Sequence, residues 1–421
     1  MKKIIFIFIL FFLITYDLYS DNVLKLKCKS YVGKVSYYFT NQPLILKNRV
    51  YFVTKGDSSG SDRKDKLYAF SNNCKLLWVF SPDDSNTNLN GVVGNENMVV
   101  VSTDGGTVYA VNASGRVIWK YYDGKKITGL SMGDVNFDGK PEVLIGGWSH
   151  NLTLLSNSGS VIFKKDLGGT INASPAIIDV RGDFKPEIIA GTDYGDLYIL
   201  DKFGNVLDVF NAETAIRSSP VFADIDGNGR NDIIFGSDNN NLYAINGNAV
   251  LLWKFAAKDR ITASPTLADL NRNGKPEILF PSEDHYLYCL DINGKMKWKV
   301  NNIEGIMSSP VVADLDGDDI PEVIYGNLDK ELNVLNENNK KIFTYKTGDM
   351  IFTTPAIGDL DQNNKLDIVV ASTDGYLYFF ETVIPSGMIL WSRWRGDSLG
   401  TGSFENSVLF SLTNIYNDVK K

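Results

Sequence analysis

The chain has 421 residues, with 42 Lys+Arg against 50 Asp+Glu for a net charge of −8, and only 2 His and 3 Cys. That balance, with no block of basic residues, argues against a nucleic acid or an anionic membrane as partner. So few histidines, and cysteines so far apart, leave no His-rich metal centre, no Cys-x-x-Cys zinc site and no disulfide framework.

Lys2 and Lys3 precede an apolar run from Ile4 to Tyr16, and polarity returns at Asp17, with small Ser20 before Asp21. The run is shorter than the roughly 20 residues a spanning helix needs, so residues 1–20 read as a secretory signal peptide, with a retained N-terminal anchor as the alternative. Export places the mature chain in a periplasm, at a cell surface or in the medium. Leu24-Lys25-Leu26-Lys27 before Cys28 puts charges where a lipoprotein signal needs small apolar residues.

Beyond this leader the chain repeats itself. Asp134, Asp179, Asp224, Asp269, Asp314 and Asp359 are each 45 residues apart, as are Pro175, Pro220, Pro265, Pro310 and Pro355, and Gly146, Gly191 and Gly236. Each unit holds four short runs of Ile, Val, Leu and aromatic residues between Gly, Asn and Asp turns, as in Pro220–Ala223, Asp232–Gly236, Leu242–Ile245 and Leu251–Phe255. Such runs are antiparallel strands. Four per unit of this length mark an all-β protein, a β-propeller of four-stranded antiparallel blades. Two looser copies, Leu67–Phe70 with Trp78 and Val108–Val111 with Trp119, precede the strict array. Residues 21–402 thus give eight blades, or seven with an N-terminal extension. Ring closure would pair Lys34–Phe39 with the last blade, read as Asp367–Val370, Leu377–Phe380 and Ile389–Trp391. Residues 403–421 add an edge strand or pack beneath the ring.

The turn after the first strand of each unit carries oxygen side chains at positions 1, 3, 5 and 9. They are Asp134, Asn136, Asp138 and Glu142 in the third blade, and Asp224, Asp226, Asn228 and Asp232 in the fifth. The sixth has Asp269, Asn271, Asn273 and Glu277, the seventh Asp314, Asp316, Asp318 and Glu322, and the eighth Asp359, Asp361, Asn363 and Asp367. Oxygen donors without His or Cys select a hard cation, and a flexible loop offering six or seven of them favours Ca²⁺ over Mg²⁺. Position 7 would give its backbone carbonyl, so its side chain varies: Lys140, Arg230, Lys275, Ile320 and Lys365. Gly139 and Gly229 at position 6 permit a left-handed bend, which Asp319 and Asn364 also tolerate. About five Ca²⁺ sites follow, the seventh blade tightest with four carboxylates and the sixth weakest with two. Asx-rich turns also occur simply as turns. The fourth blade departs, with Arg181 at position 3, Gly182 displaced and Phe184 at position 6; its guanidinium would replace the metal by pairing with Asp179, Asp183 or Glu187.

These residues resemble the FG-GAP or integrin-α-type propeller repeat, whose calcium loops read Asp-x-Asp-x-Asp-Gly-x-x-Asp. They also resemble the pyrroloquinoline-quinone-like propeller repeat, Leu-Tyr-Ala-x-x-x-x-Gly-x-x-x-Trp, seen in Leu197-Tyr198, in Leu242-Tyr243 with Trp253, and in Leu287-Tyr288 with Trp298. Trp391 to Gly402 is similar to the closing segment of such propellers. The likeness runs over about residues 43–402 and implies fold and calcium rather than function.

The face opposite the calcium turns carries Trp148, Tyr194, Arg217, Arg260, His285 and Tyr286, the anchors of a binding surface for a protein or glycan, because aromatic and Arg side chains dominate interface energies. An exported binding or scaffold module, a monomeric ring and not an enzyme, is the first reading. A quinoprotein-like dehydrogenase with its cofactor over the central channel is the second, and no base, nucleophile and orienter set stands out for it. Arg181-Gly182-Asp183 and Arg395-Gly396-Asp397 sit inside a turn and the closing segment, which explains both without an adhesion role. Cys28 and Cys74 pair in an oxidising compartment or stay free, and Cys289 reads as a small buried hydrophobe.

Overall fold

The computed structural model describes residues 23–33, 35, 42–54, 65–83, 88–392, 396–397 and 402–403. The leader at 1–20, all of 34–39 except Val35, and residues 404–421 lie outside them. Among the described residues 33 strands form eight antiparallel sheets, with no helix, so the chain is an eight-bladed β-propeller. In the fifth blade Val221–Ala223, Asp232–Gly236, Asn241–Ile245 and Leu251–Ala256 pair in that order from the axis outward.

Burial follows the wedge shape of a blade. The second strand, such as Asp232–Gly236, is buried along its whole length between neighbouring sheets. The outer strand, such as Leu251–Ala256, alternates between exposed and half-buried residues. The repeated glycines have a packing reason: a Cβ on Gly146, Gly191, Gly236 or Gly326 would meet Ile171, Ile216, Ile261 or Ile351, the isoleucine that enters the next blade, at 2.1–2.7 Å. The Gly…Trp signature joins blades in the same way. Trp253 Nε1 donates to the Ile292 carbonyl of the next blade at 2.9 Å, and its ring lies where Gly294, with φ of +76°, would carry a Cβ.

Closure uses a different strand from the one expected. Leu24–Tyr31, not Lys34–Phe39, is the outer strand of the eighth blade, antiparallel to Tyr376–Thr382 from Leu24 opposite Thr382 to Tyr31 opposite Tyr376. Ile389–Trp391 leaves the eighth blade and adds to the innermost strand of the seventh, with Trp391 opposite Val312. Beyond it, the described residues of the closing segment bond to two further inner strands. The Ile357 N–H donates to the Ser392 carbonyl at 2.7 Å, and the Phe222 N–H to Gly402 at 2.8 Å. Trp391 is fully buried, packed in the core beside the inner strand of the seventh blade.

Cys28 of the closing strand forms a disulfide with Cys74 in a turn of the first blade, Cα–Cα 6.4 Å, so a covalent bond spans the closure seam; Cys289 is free and buried. Denatured protein is expected to titrate one thiol before reduction and all three cysteines after it. Replacing Cys28 and Cys74 by Ser should cost about 2–4 kcal/mol in denaturant unfolding. Gly236→Ala places a methyl 2.4 Å from Ile261 Cγ2, and should lower the denaturant midpoint by the equivalent of about 1–3 kcal/mol.

Candidate metal loops and the axial cavity

Each acidic turn opens where a three-residue inner strand ends and closes on the first residue of the second strand, as Ala223 leads to Asp224 and Asp232 opens Asp232–Gly236. The carboxylates at the two ends shape the loop before any ion is considered. One oxygen of the position 9 acid accepts the N–H of position 2: Val135 on Glu142, Ile225 on Asp232, Leu270 on Glu277, Leu315 on Glu322 and Leu360 on Asp367, at 2.8–3.0 Å. The position 1 Asp collects N–H groups inside the turn, so that Asp224 accepts from Gly227, Asn228 and Gly229 at 2.7–3.0 Å. Position 5 oxygens accept from position 7, as Asp138 does from Lys140 and Asp318 from Ile320. The position 7 side chains of Lys140, Arg230 and Lys275 are exposed, and those of Ile320 and Lys365 half-buried.

Two left-handed residues are needed per loop, not one. Position 6 has φ of +60 to +80° at Gly139, Phe184, Gly229, Gly274, Asp319 and Asn364, and position 4 has φ of +58 to +78° at Phe137, Gly182, Gly227, Arg272, Gly317 and Gln362. Gly182 is therefore in place, and the fourth loop keeps the shared backbone.

Three loops gather carboxylates closely enough to share an ion: Asp224, Asp226 and Asp232; Asp314, Asp316 and Glu322; and Asp359, Asp361 and Asp367, with one oxygen of each within 4.8 Å of the others. In the fifth loop Asp232 is 1% exposed and its Oδ1 is buried without a hydrogen-bond partner. A buried, unpaired carboxylate oxygen is costly, and a cation is its natural complement. Burial, reinforced by the neighbouring Asp226 and Asp224, raises Asp232 to about 6. In the seventh loop burial, then Asp316, Asp314 and Asp318, raises Glu322 to about 8. The closing segment encloses this loop, with the Asp314 N–H donating to the Met388 carbonyl at 3.0 Å.

The sixth and eighth loops already hold a side-chain cation, which a count of carboxylates alone does not include. Lys297 Nζ lies 2.6 Å from Glu277 Oε1. Lys27 Nζ lies 2.8 Å from Asp361, 3.2 Å from Asp367 and 3.3 Å from Glu381. Burial alone would lower the Lys27 ammonium, yet Asp361 and Asp367 hold it above its usual range. Lys27 and Lys297 occupy one structural position, the bulge of the outer strand, between Leu26 and Cys28 and between Met296 and Trp298. The same bulge carries Ile162, Leu207, Leu252 and Ile342 in the third, fourth, fifth and seventh blades, none of which can supply charge. In the third loop Asn136 Nδ2 fills the place, donating to Glu142 Oε1 at 3.1 Å. In the fourth, Arg181 pairs through Nη2 with Asp208 on the outer strand, not with Asp179, Asp183 or Glu187.

The opposite end of the axis holds a cavity of about 320 Å³. Its floor is a collar of residues 45 apart, each preceding a repeated proline: Ser174, Ser219, Ser264, Ser309 and Thr354. The collar passes from blade to blade. The Ser174 N–H donates to Ser219 Oγ at 2.9 Å, Ser219 to Ser264 at 3.1 Å, Ser309 to Thr354 at 3.1 Å, and Thr354 to Gln42 Oε1 of the first blade. Of the residues read as surface anchors, Trp148 and Arg217 line this cavity. Tyr194, Arg260, His285 and Tyr286 are not among its lining residues: Tyr194 is exposed, Arg260 is paired with Glu283 at 2.6 Å, His285 Nδ1 is 2.8 Å from the Ile303 carbonyl, and Lys299 Nζ lies 3.8 Å from the Tyr286 ring centroid. The collar and Asn172 were missed, although the 45-residue spacing of the Ser-Pro pairs displays the collar.

Residues 224–280 match the FG-GAP-like repeat, and residues 38–176 match outer membrane protein assembly factor BamB, so the chain carries both repeat characters. No curated protein matches it. BamB from Moraxella catarrhalis is similar in structure at TM-score 0.61 and 17% identity, over 86% of this chain and 98% of its own. A europium-containing methanol dehydrogenase is similar at TM-score 0.67 and 13% identity, over 92% and 91%, and Sqt1 of Saccharomyces cerevisiae at 0.64 and 12%, over 85% and 100%. At such identities the likeness is one of fold.

Lys27→Met leaves Asp361 and Asp367 without their ammonium, while Glu381 keeps Lys25 at 2.9 Å. In chelator this variant should be less stable by about 1–3 kcal/mol in denaturant unfolding, while Lys47→Met, which breaks an exposed pair with Glu96, should change little.

Proposed function

We propose that this is an exported propeller whose acidic turns take Ca²⁺ in support of the ring and whose opposite face is a binding or scaffold surface, at the cell envelope, for a protein or glycan. The observation that carries the reading is the asymmetry of the axis. On the side of the acidic turns the closing segment is bonded to the inner strands through Met388, Ser392 and Gly402, and the other end is a cavity with Trp148 at 57% exposure. Export is supported by the leader-like composition of residues 1–20 and by the Cys28–Cys74 bond, since disulfides persist in oxidising compartments. Among the described residues no helix is long and apolar enough to cross a membrane, which says nothing of strands.

Calcium fits the fifth and seventh loops best, through Asp224, Asp226, Asn228, Asp232 and the Arg230 carbonyl, and through Asp314, Asp316, Asp318, Glu322 and the Ile320 carbonyl. The third loop fits once the Asn136 amide turns its oxygen inward. The ion would supply the positive charge that Lys297 and Lys27 bring to the sixth and eighth loops, so the expected number is three rather than five.

Mass spectrometry under native conditions should count three Ca²⁺, two in Asp232→Asn and four in Lys27→Met. At a hundredfold excess over Kd each ion adds about 2.7 kcal/mol, so the melting temperature should rise from chelator to millimolar Ca²⁺. Equal melting in both, with no ion counted, would refute the calcium reading. Immobilised mature protein is expected to retain an envelope component absent from a column of an unrelated propeller. Failure to retain any, or oxidation of an alcohol by the protein supplied with pyrroloquinoline quinone and Ca²⁺, would overturn the binding module.

A further inference from the structure

We infer that the axial cavity is a saccharide site, taking the neutral terminal sugar ring of a glycan. The inference rests on the reading of this face as a binding surface and names its ligand.

The shape of the cavity comes first. The collar of Ser174, Ser219, Ser264, Ser309 and Thr354 closes it below, each member 1–3% exposed, and past the collar Ser392 and Gly402 are bonded to the inner strands of the eighth and fifth blades. A ligand therefore enters by its end rather than threading through. A volume of about 320 Å³ lies at the low end of small-molecule sites, room for one ring and not for a folded chain.

Its unspent chemistry comes second. Trp148 is 57% exposed and its indole N–H makes no hydrogen bond; Lys126 Nζ stands 5.7 Å from the ring centroid over one face, and the other gives a flat apolar surface with a donor at its edge. Arg217 commits only Nε, to Asp238 at 2.8 Å, and keeps both terminal amino groups to donate in a planar fork. The Asn172 amide makes no hydrogen bond within the protein and faces the cavity. Ser219 Oγ accepts from the Ser174 N–H and keeps its own proton to donate. A flat apolar surface beside several uncommitted donors matches a pyranose, with one C–H face and a girdle of hydroxyl oxygens.

Charge decides between neutral and acidic rings. Arg217 is balanced by Asp238 at 2.8 Å, and Lys126 by Asp104 at 3.0 Å. A carboxylate would enter without a surplus cation to meet it, in a protein already at −8. The Arg217 fork instead spans two adjacent ring oxygens.

The test uses the full mature protein on an array of oligosaccharides ending in neutral hexoses or N-acetylhexosamines and in uronic acids, followed by titration with the matching methyl glycosides. The inference expects a neutral terminus to bind and to change the tryptophan fluorescence. Trp148→Ala and Arg217→Met should each weaken binding at least tenfold while the melting temperature stays within a degree or so of wild type, because both side chains stand at an exposed rim. Tyr194→Ala, outside the cavity, should bind as wild type. No saccharide bound at millimolar concentration, binding confined to uronate ends, or binding unchanged in Trp148→Ala would overturn it. Retention of an envelope protein in the absence of saccharide binding would refute this inference and leave the binding module standing; loss of both would refute both.

Discussion

A ring of sheets has no spare edge, and the strand that closes this one governs much else in the molecule. Leu24–Tyr31 comes from the beginning of the chain and completes a blade built from its end. Within it Leu24 is buried in the core, Lys27 fills the acidic turn of the blade it joins, and Cys28 bonds to the first blade. Backbone pairing, charge neutralisation and a covalent link thus fall on one short strand, where the loop-closure entropy of joining distant residues is largest. The closing segment acts from the other end. Met388, Ser392 and Gly402 bond to the seventh, eighth and fifth blades, so this segment links three inner strands while the first strand fastens the ring at its edge.

The acidic turns follow from a second constraint. A position 9 carboxyl group ties the turn to the strand by accepting the position 2 N–H, and that bond holds the group buried at the start of the strand. One oxygen is spent, and the other must be met inside the protein. Lys27 and Lys297 meet it from the bulge of the outer strand, and Asn136 meets it with an amide. In the fifth blade the bulge residue is Leu252, and Asp232 Oδ1 has no partner. The same electrostatic demand therefore has a tethered answer in some blades and needs a diffusible one in others.

The interval of 45 residues made the eight blades and the acidic turns legible, because a packed wedge with no insertion forces identical spacing on every inward side chain. The repeated Gly and Pro were visible as spacing, but their partners were not: Gly236 is required by Ile261, and the serines before the prolines by their neighbours across the axis. The closing strand went unread because Leu24, Leu26, Cys28 and Ser30 alternating with lysines has the period of an edge strand and none of the bulk of the inner ones. Lys27 is separated by 334 residues from Asp361, and no local pattern joins them. Lys297 was within reach, since its equivalents at the same interval, Leu252 and Ile342, are apolar, and a lone charge in an apolar column has to find a partner.

The two ends of the axis differ for the same geometric reason. At the acidic end, inner strands finish in turns whose N–H groups are consumed by carboxylates, so any remaining capacity there is for cations. At the other end the strands begin, and collar hydroxyls accept the N–H groups of the neighbouring blade; Ser309 gives its proton to the Ser264 carbonyl, while that of Ser219 stays available. One end is thus left with acceptors and the other with donors. A propeller of this construction meets positive charge on one rim and oxygen-rich neutral groups on the other, and Arg217 and Asn172 add donors to the end that already has them.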